Sequence, residues 1–193
     1  MLEVPEQSNL EASALADENA LLRASIAALR DRVAELEQLA DADTLTPLPN
    51  RRRFLRELER VAAGVERHGT PAAVLYIDVE NLKAINDRHG HFAGDVALIH
   101  VARLLAGLIR ASDIAARIGG DEFGLILDHL DHNSAIETSE RIAKCIAGAP
   151  LDLGGAQVAL EVSIGTAAIL KGDGVEDILR RAERNVFRAK SGD

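Results

Sequence analysis

Aromatic side chains are nearly absent: four Phe, one Tyr and no Trp account for 3% of the 193 residues. A core without them has to be closed by Ala, Leu, Ile and Val, which the 47% hydrophobic content supplies. Cysteine is reduced to Cys145, which excludes an intrachain disulfide and suits a reducing compartment. Set in the apolar helical run Ile142, Ala143, Ile146, it reads as a small core residue. No apolar run approaches membrane-spanning length, and the opening Met1-Leu2-Glu3-Val4-Pro5-Glu6 lacks the basic-then-apolar order of a signal peptide. The expected location is the cytoplasm, with no membrane partner. Positive charge is also short, 22 Lys and Arg against 31 Asp and Glu for a net charge of −9. Such a surface repels phosphate backbones, which argues against a nucleic-acid polymer as partner. A single nucleotide is not excluded, because divalent ions and a few local cations can neutralise one triphosphate.

From about residue 8 to 42 there is no Gly or Pro, and apolar residues follow a 4-3 spacing. Placing Leu15 at heptad position d puts Asn19, Ile26, Val33 and Ala40 at a, and Leu22, Leu29 and Leu36 at d. β-branched residues at a with Leu at d favour a parallel two-stranded coil, and a single Asn at a sets its register. The flanking charges agree, with Glu18 facing Arg23 of a second copy and Arg32 facing Glu37. The other reading, one amphipathic helix packed on its own domain, calls for a wider apolar face than this seam. Residues 1–42 are therefore expected to form a homodimeric coiled-coil stalk, roughly 50 Å long at 1.5 Å per residue.

Two prolines in Thr44-Leu45-Thr46-Pro47-Leu48-Pro49-Asn50 end the stalk, and residues 43–193 form the globular domain. A helix is expected over 51–67, with Phe54, Leu55, Leu58 and Val61 on its apolar face. Ala72 to Val79 reads as a strand buried on both sides. Helices at about 81–88 and 93–110 follow, then strands at about 114–118 and 123–128 around the turn Gly119-Gly120-Asp121-Glu122. A helix at 132–148, strands within 156–169 and a helix at 174–190 complete the pattern. This order suits an α+β sandwich with helices packed on an antiparallel sheet.

The acidic residues fall in unusual places. Asp78 closes a buried strand, where a carboxylate is costly unless it meets a cation. Asp121 and Glu122 sit at a Gly-rich hairpin tip and would stand beside Asp78 if the two strands were neighbours. Converging carboxylates of this kind suit Mg²⁺, which keeps several waters and accepts substrate phosphates. From these residues alone, a solvated turn acid and an unrelated strand-end acid remain an equal reading.

Longer strings add to this. Arg117-Ile118-Gly119-Gly120-Asp121-Glu122-Phe123 resembles the signature of the GGDEF family of diguanylate cyclases, and the stretch from Asp78 to Asp95 resembles its other long motif. Asp43-Thr44-Leu45-Thr46 with Leu48-Pro49-Asn50-Arg51 is similar to the opening motif. Ser163-Ile164-Gly165 and Ala189-Lys190 are similar to the closing ones. Five motifs in family order over 43–190 identify the chain as a member. The resemblance implies a nucleotidyl-cyclase or polymerase-palm-like sandwich with a central antiparallel sheet, here preceded by the coiled-coil helix. It also implies condensation of two GTP into cyclic di-GMP with release of pyrophosphate.

By position, the resemblance makes Asp78, Asp121 and the backbone carbonyl of Val79 metal ligands, for Mg²⁺ or Mn²⁺, two ions per site. Asp121 or Glu122 would help deprotonate the attacking 3′-hydroxyl. Asn86 and Asp95 would read the guanine edge, Lys83 and Lys190 would hold the triphosphate, and the N–H groups of Asn81 and Leu82 would receive phosphate oxygens. His89 and His91 lack further zinc ligands at usable spacing and read as part of a turn beside the base. The chain departs from the family pattern at Pro47, Glu80, Asn81-Leu82, Glu183 and Phe187. It also stops at Ser191-Gly192-Asp193, where the family continues to a Gly-Arg-Asn whose arginine contacts phosphate.

Arg110 and Asp113, nine and six residues before Gly119, match the spacing of the family's product-inhibition motif, with Arg141 as a second guanidinium. A helix-end arginine followed by a loop aspartate is the plainer reading of the same pair. The partners implied are GTP, cyclic di-GMP and a second copy of the chain. The rival function is a non-catalytic cyclic di-GMP receptor acting through Arg110 and Asp113.

Overall fold

A computed structural model describes residues 5–191, without side-chain detail for 5–14, 16–17, 34–39 and 191. Met1–Ala40 and Asp41–Asp193 are separate compact units. The first is a single helix, α1 (Pro5–Asp41). Its described seam residues all face solvent within one chain: Leu15, Leu22, Ile26, Leu29 and Val33 are each about half or more exposed. The Asn19 side chain donates to its own helix, at the Leu15 carbonyl (3.0 Å). The expected contacts of Leu36 and Glu37 lie outside the described residues.

The second unit follows the order α2 (Arg51–His68), β1 (Ala72–Val79), α3 (Leu82–His89), α4 (Phe92–Leu108), β2 (Ile114–Arg117), β3 (Glu122–Asp128), α5 (His132–Ala147), β4 (Leu151–Leu153), β5 (Ala156–Val158), β6 (Val162–Ala168), α6 (Val175–Ser191). Four strands make one sheet in the order β2-β3-β1-β6, with every neighbouring pair antiparallel. The architecture is the expected α+β one, with helices packed on an antiparallel sheet. β1 lies inside the sheet, and its side chains alternate between two apolar layers, as the two-residue period of a strand requires. Ala73, Leu75, Ile77 and Val79 join the layer that includes α4 and α5 residues such as Leu105 and Ile142. Ala72, Val74 and Tyr76 join Phe54 and Leu58 of α2 and Ile178 and Ala182 of α6. With both faces covered, the strand reads as an unbroken apolar run although its neighbours are antiparallel.

Two features depart from the sequence reading. The strands expected within 156–169 are present as β5 and β6, but β5 pairs with β4, a three-residue strand not anticipated, in a separate ribbon, and only β6 joins the main sheet. Three-residue strands around a Gly154-Gly155 turn carry too few side chains to show a period. Cys145 is exposed. The buried line of α5 runs through Ala135, Ile142 and Ile146, and Cys145 sits one residue, about 100° of helix, away from Ile146.

The entry to α2 is set by charge and capping. The Asn50 side chain accepts from the Arg53 N–H (3.2 Å), and Gly69 closes the helix in a left-handed conformation (φ 67°). Three arginines in the first turn oppose the helix dipole. Asp41, buried at 4% exposure, offsets them by pairing with Arg52 (2.8 Å) and Arg56. Those two guanidiniums hold its carboxyl down at about 2.

Candidate active site

The register of the central strands assembles the acidic site. β1 and β3 pair with Asp78 directly opposite Glu122, and the Val79 N–H donates to the Asp121 carbonyl at 3.0 Å. Residues facing each other on one side of an antiparallel pair stand a few ångströms apart at Cβ. The hairpin tip is thereby stitched to the end of β1, with Glu122 opposite Asp78 across 44 positions of sequence and the Asp121 backbone beside Val79.

The tip itself is held from below. Arg117 donates through Nε (3.2 Å) and Nη2 (2.6 Å) to the Gly120 carbonyl, and through Nη1 to Asp43 (3.4 Å). Asp43 also accepts from the Thr46 N–H and hydroxyl, both at 2.8 Å. Burial pushes the Asp43 carboxyl up, but the Thr46 bonds and the Arg117 charge outweigh it and leave it below the ordinary value. Arg51 donates to the Ile118 carbonyl (3.1 Å), and the Arg117 N–H to that of Pro49 (2.9 Å). The opening motif is thus a bracket for the hairpin. Gly119 makes room for Glu122: a Cβ there would lie 1.9 Å from its carboxylate oxygen, so that side chain would have to shift.

Tyr76, absent from the expected site, lies on the same face as Asp78 and Glu122. Burial, then a hydrogen bond to Glu122 and the nearby Glu183 charge, push its phenol well above the ordinary range. Two residues before Asp78 in an apolar run, it looked like one more core residue; only strand pairing reveals its neighbour.

Lys190 at the end of α6 meets two carboxylates, Asp78 Oδ2 at 2.6 Å and Glu80 Oε1 at 2.9 Å. Burial lowers the affinity of Lys190 for its proton, but the Asp78 and Glu80 carboxylates more than offset this and raise it. Burial likewise pushes Glu80 up, and its contacts with Lys190 and Ser163 carry it below the usual carboxylate value. Among the described residues, no three His, Cys, Asp or Glu side chains form a ready metal cluster. The donors fit a hard divalent ion in kind, being carboxylates at adjacent strand positions, and the ammonium against Asp78 shows that the position takes positive charge.

Beyond β1, Asn81 adopts the left-handed conformation (φ 60°), which Asn tolerates better than most residues, and leads into α3 without a side-chain cap. The N–H groups of Leu82 and Lys83 therefore open α3 with no side-chain acceptor, next to Asp78. Lys83 is exposed on the same turn. Asn86 accepts from the Gly94 N–H at 2.8 Å, and a Cβ on Gly94 would lie 2.7 Å from its amide. That contact ties α3 to α4 and sets exposed Asp95, in the first turn of α4, one residue beyond the Asn86 contact. The Asn86 oxygen is thus partly committed, leaving one lone pair and the two Nδ2 hydrogens for a ligand.

Away from this cluster, Arg110, Asp113 and Arg141 line one cavity of ≈ 60 Å³ with Asp128 and Thr138. Asp113 accepts from the Arg110 N–H (3.0 Å), and Arg141 donates to the Leu108 carbonyl (3.4 Å). The fold thus brings Arg141 of α5 to the loop between α4 and β2. A space of that size admits the edge of a base rather than a dinucleotide.

The profile described as "Diguanylate cyclase, GGDEF domain" matches residues 40–193. The diguanylate cyclase TpbB of Pseudomonas aeruginosa is 39% identical over 170 residues, 85% of this chain and 39% of its own. The response regulator PleD of Caulobacter vibrioides is 35% identical over 166 residues, 84% of this chain and 37% of its own. The chain spans about two fifths of the length of these curated relatives. Among solved structures, the coiled coil and GGDEF domain of DgcB from Caulobacter crescentus, in complex with c-di-GMP, superposes with a TM-score of 0.80. It is 28% identical, over 93% of this chain and 95% of that one.

Proposed function

Because the chain belongs to the GGDEF diguanylate cyclase family, we propose that it condenses two GTP molecules into cyclic di-GMP as a dimer. The observation that carries this reading is the β1–β3 register, which sets Asp78 opposite Glu122 immediately before the uncapped start of α3. Carboxylates for metal and N–H groups for phosphate then share one end of the two central strands.

Asp78, Asp121 and the Val79 carbonyl would hold Mg²⁺ or Mn²⁺, two ions per site, which when bound would neutralise triphosphate charge. The first-turn N–H groups of α3, from Leu82, would take phosphate oxygens, with the N–H of Asn81 beside them. Lys83 and Lys190 would add mobile cations. Asp95 would accept from the guanine N–H groups, and the free Nδ2 hydrogens of Asn86 would meet a guanine acceptor. In each half-reaction, one GTP's 3′-oxygen bonds to the other's α-phosphorus while pyrophosphate leaves. The hydroxyl proton passes to Glu122 or Asp121. One domain supplies half of the centre, so a second copy is part of the chemistry. The exposed apolar seam of α1 suits a parallel coil that supplies that copy.

A receptor function has its own support in the cavity shared by Arg110, Asp113 and Arg141. On the catalytic reading, the same cavity takes a base edge of the product, which acts as an inhibitor. Purified protein incubated with GTP and Mg²⁺, followed by separation of nucleotides, decides between them. The expected outcome is cyclic di-GMP and pyrophosphate, with Asp121→Ala slower by on the order of a hundredfold or more at an unchanged fold. Binding of cyclic di-GMP without turnover would leave the receptor.

A further inference from the structure

The Lys190 ammonium is seated between Asp78 at 2.6 Å and Glu80 at 2.9 Å. Asp78 is the strand-end carboxylate assigned to the metal, so the lysine stands where a divalent ion has to come. We propose that Lys190 is a built-in competitor of the metal, with Glu80 as the second half of its seat, so that metal loading and release of Lys190 toward the triphosphate are one event. This rests on the metal assignment made above.

Three features support it. Both carboxylates come from one short stretch, the end of β1 and the residue after it, and the cation comes from the far end of the chain on α6. The helix that carries the lysine is held against the sheet by packing: Gly165 of β6 lets α6 approach so closely that a Cβ would meet the Ala182 carbonyl at 2.1 Å. The Glu80 backbone is fixed too, its N–H donating to the Glu161 carbonyl at 2.9 Å. Glu80 Oε1 is buried, and its recorded ionic partner is Lys190. An ammonium and a hydrated divalent ion cannot both occupy the same face of Asp78. The apparent metal affinity of the nucleotide-free protein is therefore reduced by the fraction of time the lysine is seated. A triphosphate offers Lys190 an alternative set of anions, which removes that competition. Metal would then be taken up chiefly together with nucleotide.

The test is Mn²⁺ binding to the nucleotide-free full chain, by the loss of its free-ion paramagnetic resonance signal. Lys190→Met should bind Mn²⁺ roughly three- to tenfold more tightly than the unaltered protein. Arg188→Met removes the same charge from an exposed position two residues away, and it should change affinity by less than about twofold. Glu80→Gln should leave affinity unchanged or raise it. Adding a non-hydrolysable GTP analogue should erase most of the difference between the unaltered protein and Lys190→Met. Equal affinity of Lys190→Met and the unaltered protein overturns the proposal, as does an equal gain from Arg188→Met. A roughly tenfold loss in Glu80→Gln overturns it as well, since Glu80 would then be a ligand of the ion. Failure of the underlying metal assignment looks different: Asp78→Ala and Asp121→Ala would bind Mn²⁺ as well as the unaltered protein does.

Discussion

Single residues here carry more than one duty, and neighbours decide which is visible. Arg117 reaches both the Gly120 carbonyl and Asp43, so the string Arg-x-Gly-Gly-Asp-Glu includes its own brace. Gly119 leaves the volume that the Glu122 carboxylate fills. Arg110 is exposed, and its backbone N–H already fixes Asp113. That geometry leaves the guanidinium available to a ligand, and it makes the side chain separable from the loop's fold. Arg110→Ala should therefore weaken cyclic di-GMP binding by at least about tenfold in calorimetry while leaving the initial rate with fresh GTP unchanged. Arg110→Lys should not restore binding, because an ammonium lacks the planar fork. Equal binding by Arg110→Ala and the unaltered protein would reduce the Arg110–Asp113 pair to a surface feature.

Among the elements, α6 and the joint before α2 are the sensitive ones. α6 packs on β6 through Gly165, where a Cβ would meet the Val186 N–H nitrogen at 2.4 Å as well as the Ala182 carbonyl at 2.1 Å. Both are backbone atoms and cannot step aside. Gly165→Ala should cost about 1–3 kcal/mol in urea unfolding. Turnover should fall further than that loss explains, because the shift also displaces Lys190, which on the proposed reading holds the triphosphate. The joint depends on charge. Asp41 is held at about 2 against an ordinary 3.8, so its folded form binds a proton less readily than its unfolded form. Its contribution is fully present above the ordinary value and is lost as pH falls from about 4 toward 2. Asp41→Asn should lower stability at neutral pH and flatten the decline across that acid window, as followed by thermal melts. An unchanged acid limb would place the acid sensitivity elsewhere.

For the whole molecule, the question is how two copies meet. The seam of α1 exposes Leu15 by 59%, Leu29 by 66% and Val33 by 52% in a single chain, an apolar line that water does not favour. Leu29→Lys places a charge in the middle of that line. It should raise the dimer dissociation constant at least about tenfold in sedimentation velocity. Turnover per protomer should then become dependent on protein concentration, since on the proposed reading each half of the reaction needs the other copy. Unchanged sedimentation would assign the pairing of domains to another surface.

The sequence by itself determined the order and kind of the long elements, because their signals are local. Helix period, strand alternation, two prolines and a Gly-Gly turn each act within a few residues, and the 4-3 seam of α1 is legible in the same way. The five motif strings carried the family as well, since their spacing is written along the chain. What the tertiary structure decided is everything that depends on pairing across distance. Strand register put Asp78 opposite Glu122 and exposed Tyr76 as the partner of that carboxylate. Helix rotation turned Cys145 outward despite its apolar neighbours. The short β4–β5 ribbon had too few residues to show a period. The packing of α6 on β6 seated Lys190 between Asp78 and Glu80, more than a hundred residues away. A carboxylate's partners are chosen by whichever strand or helix end arrives beside it, and only the folded chain determines which one does.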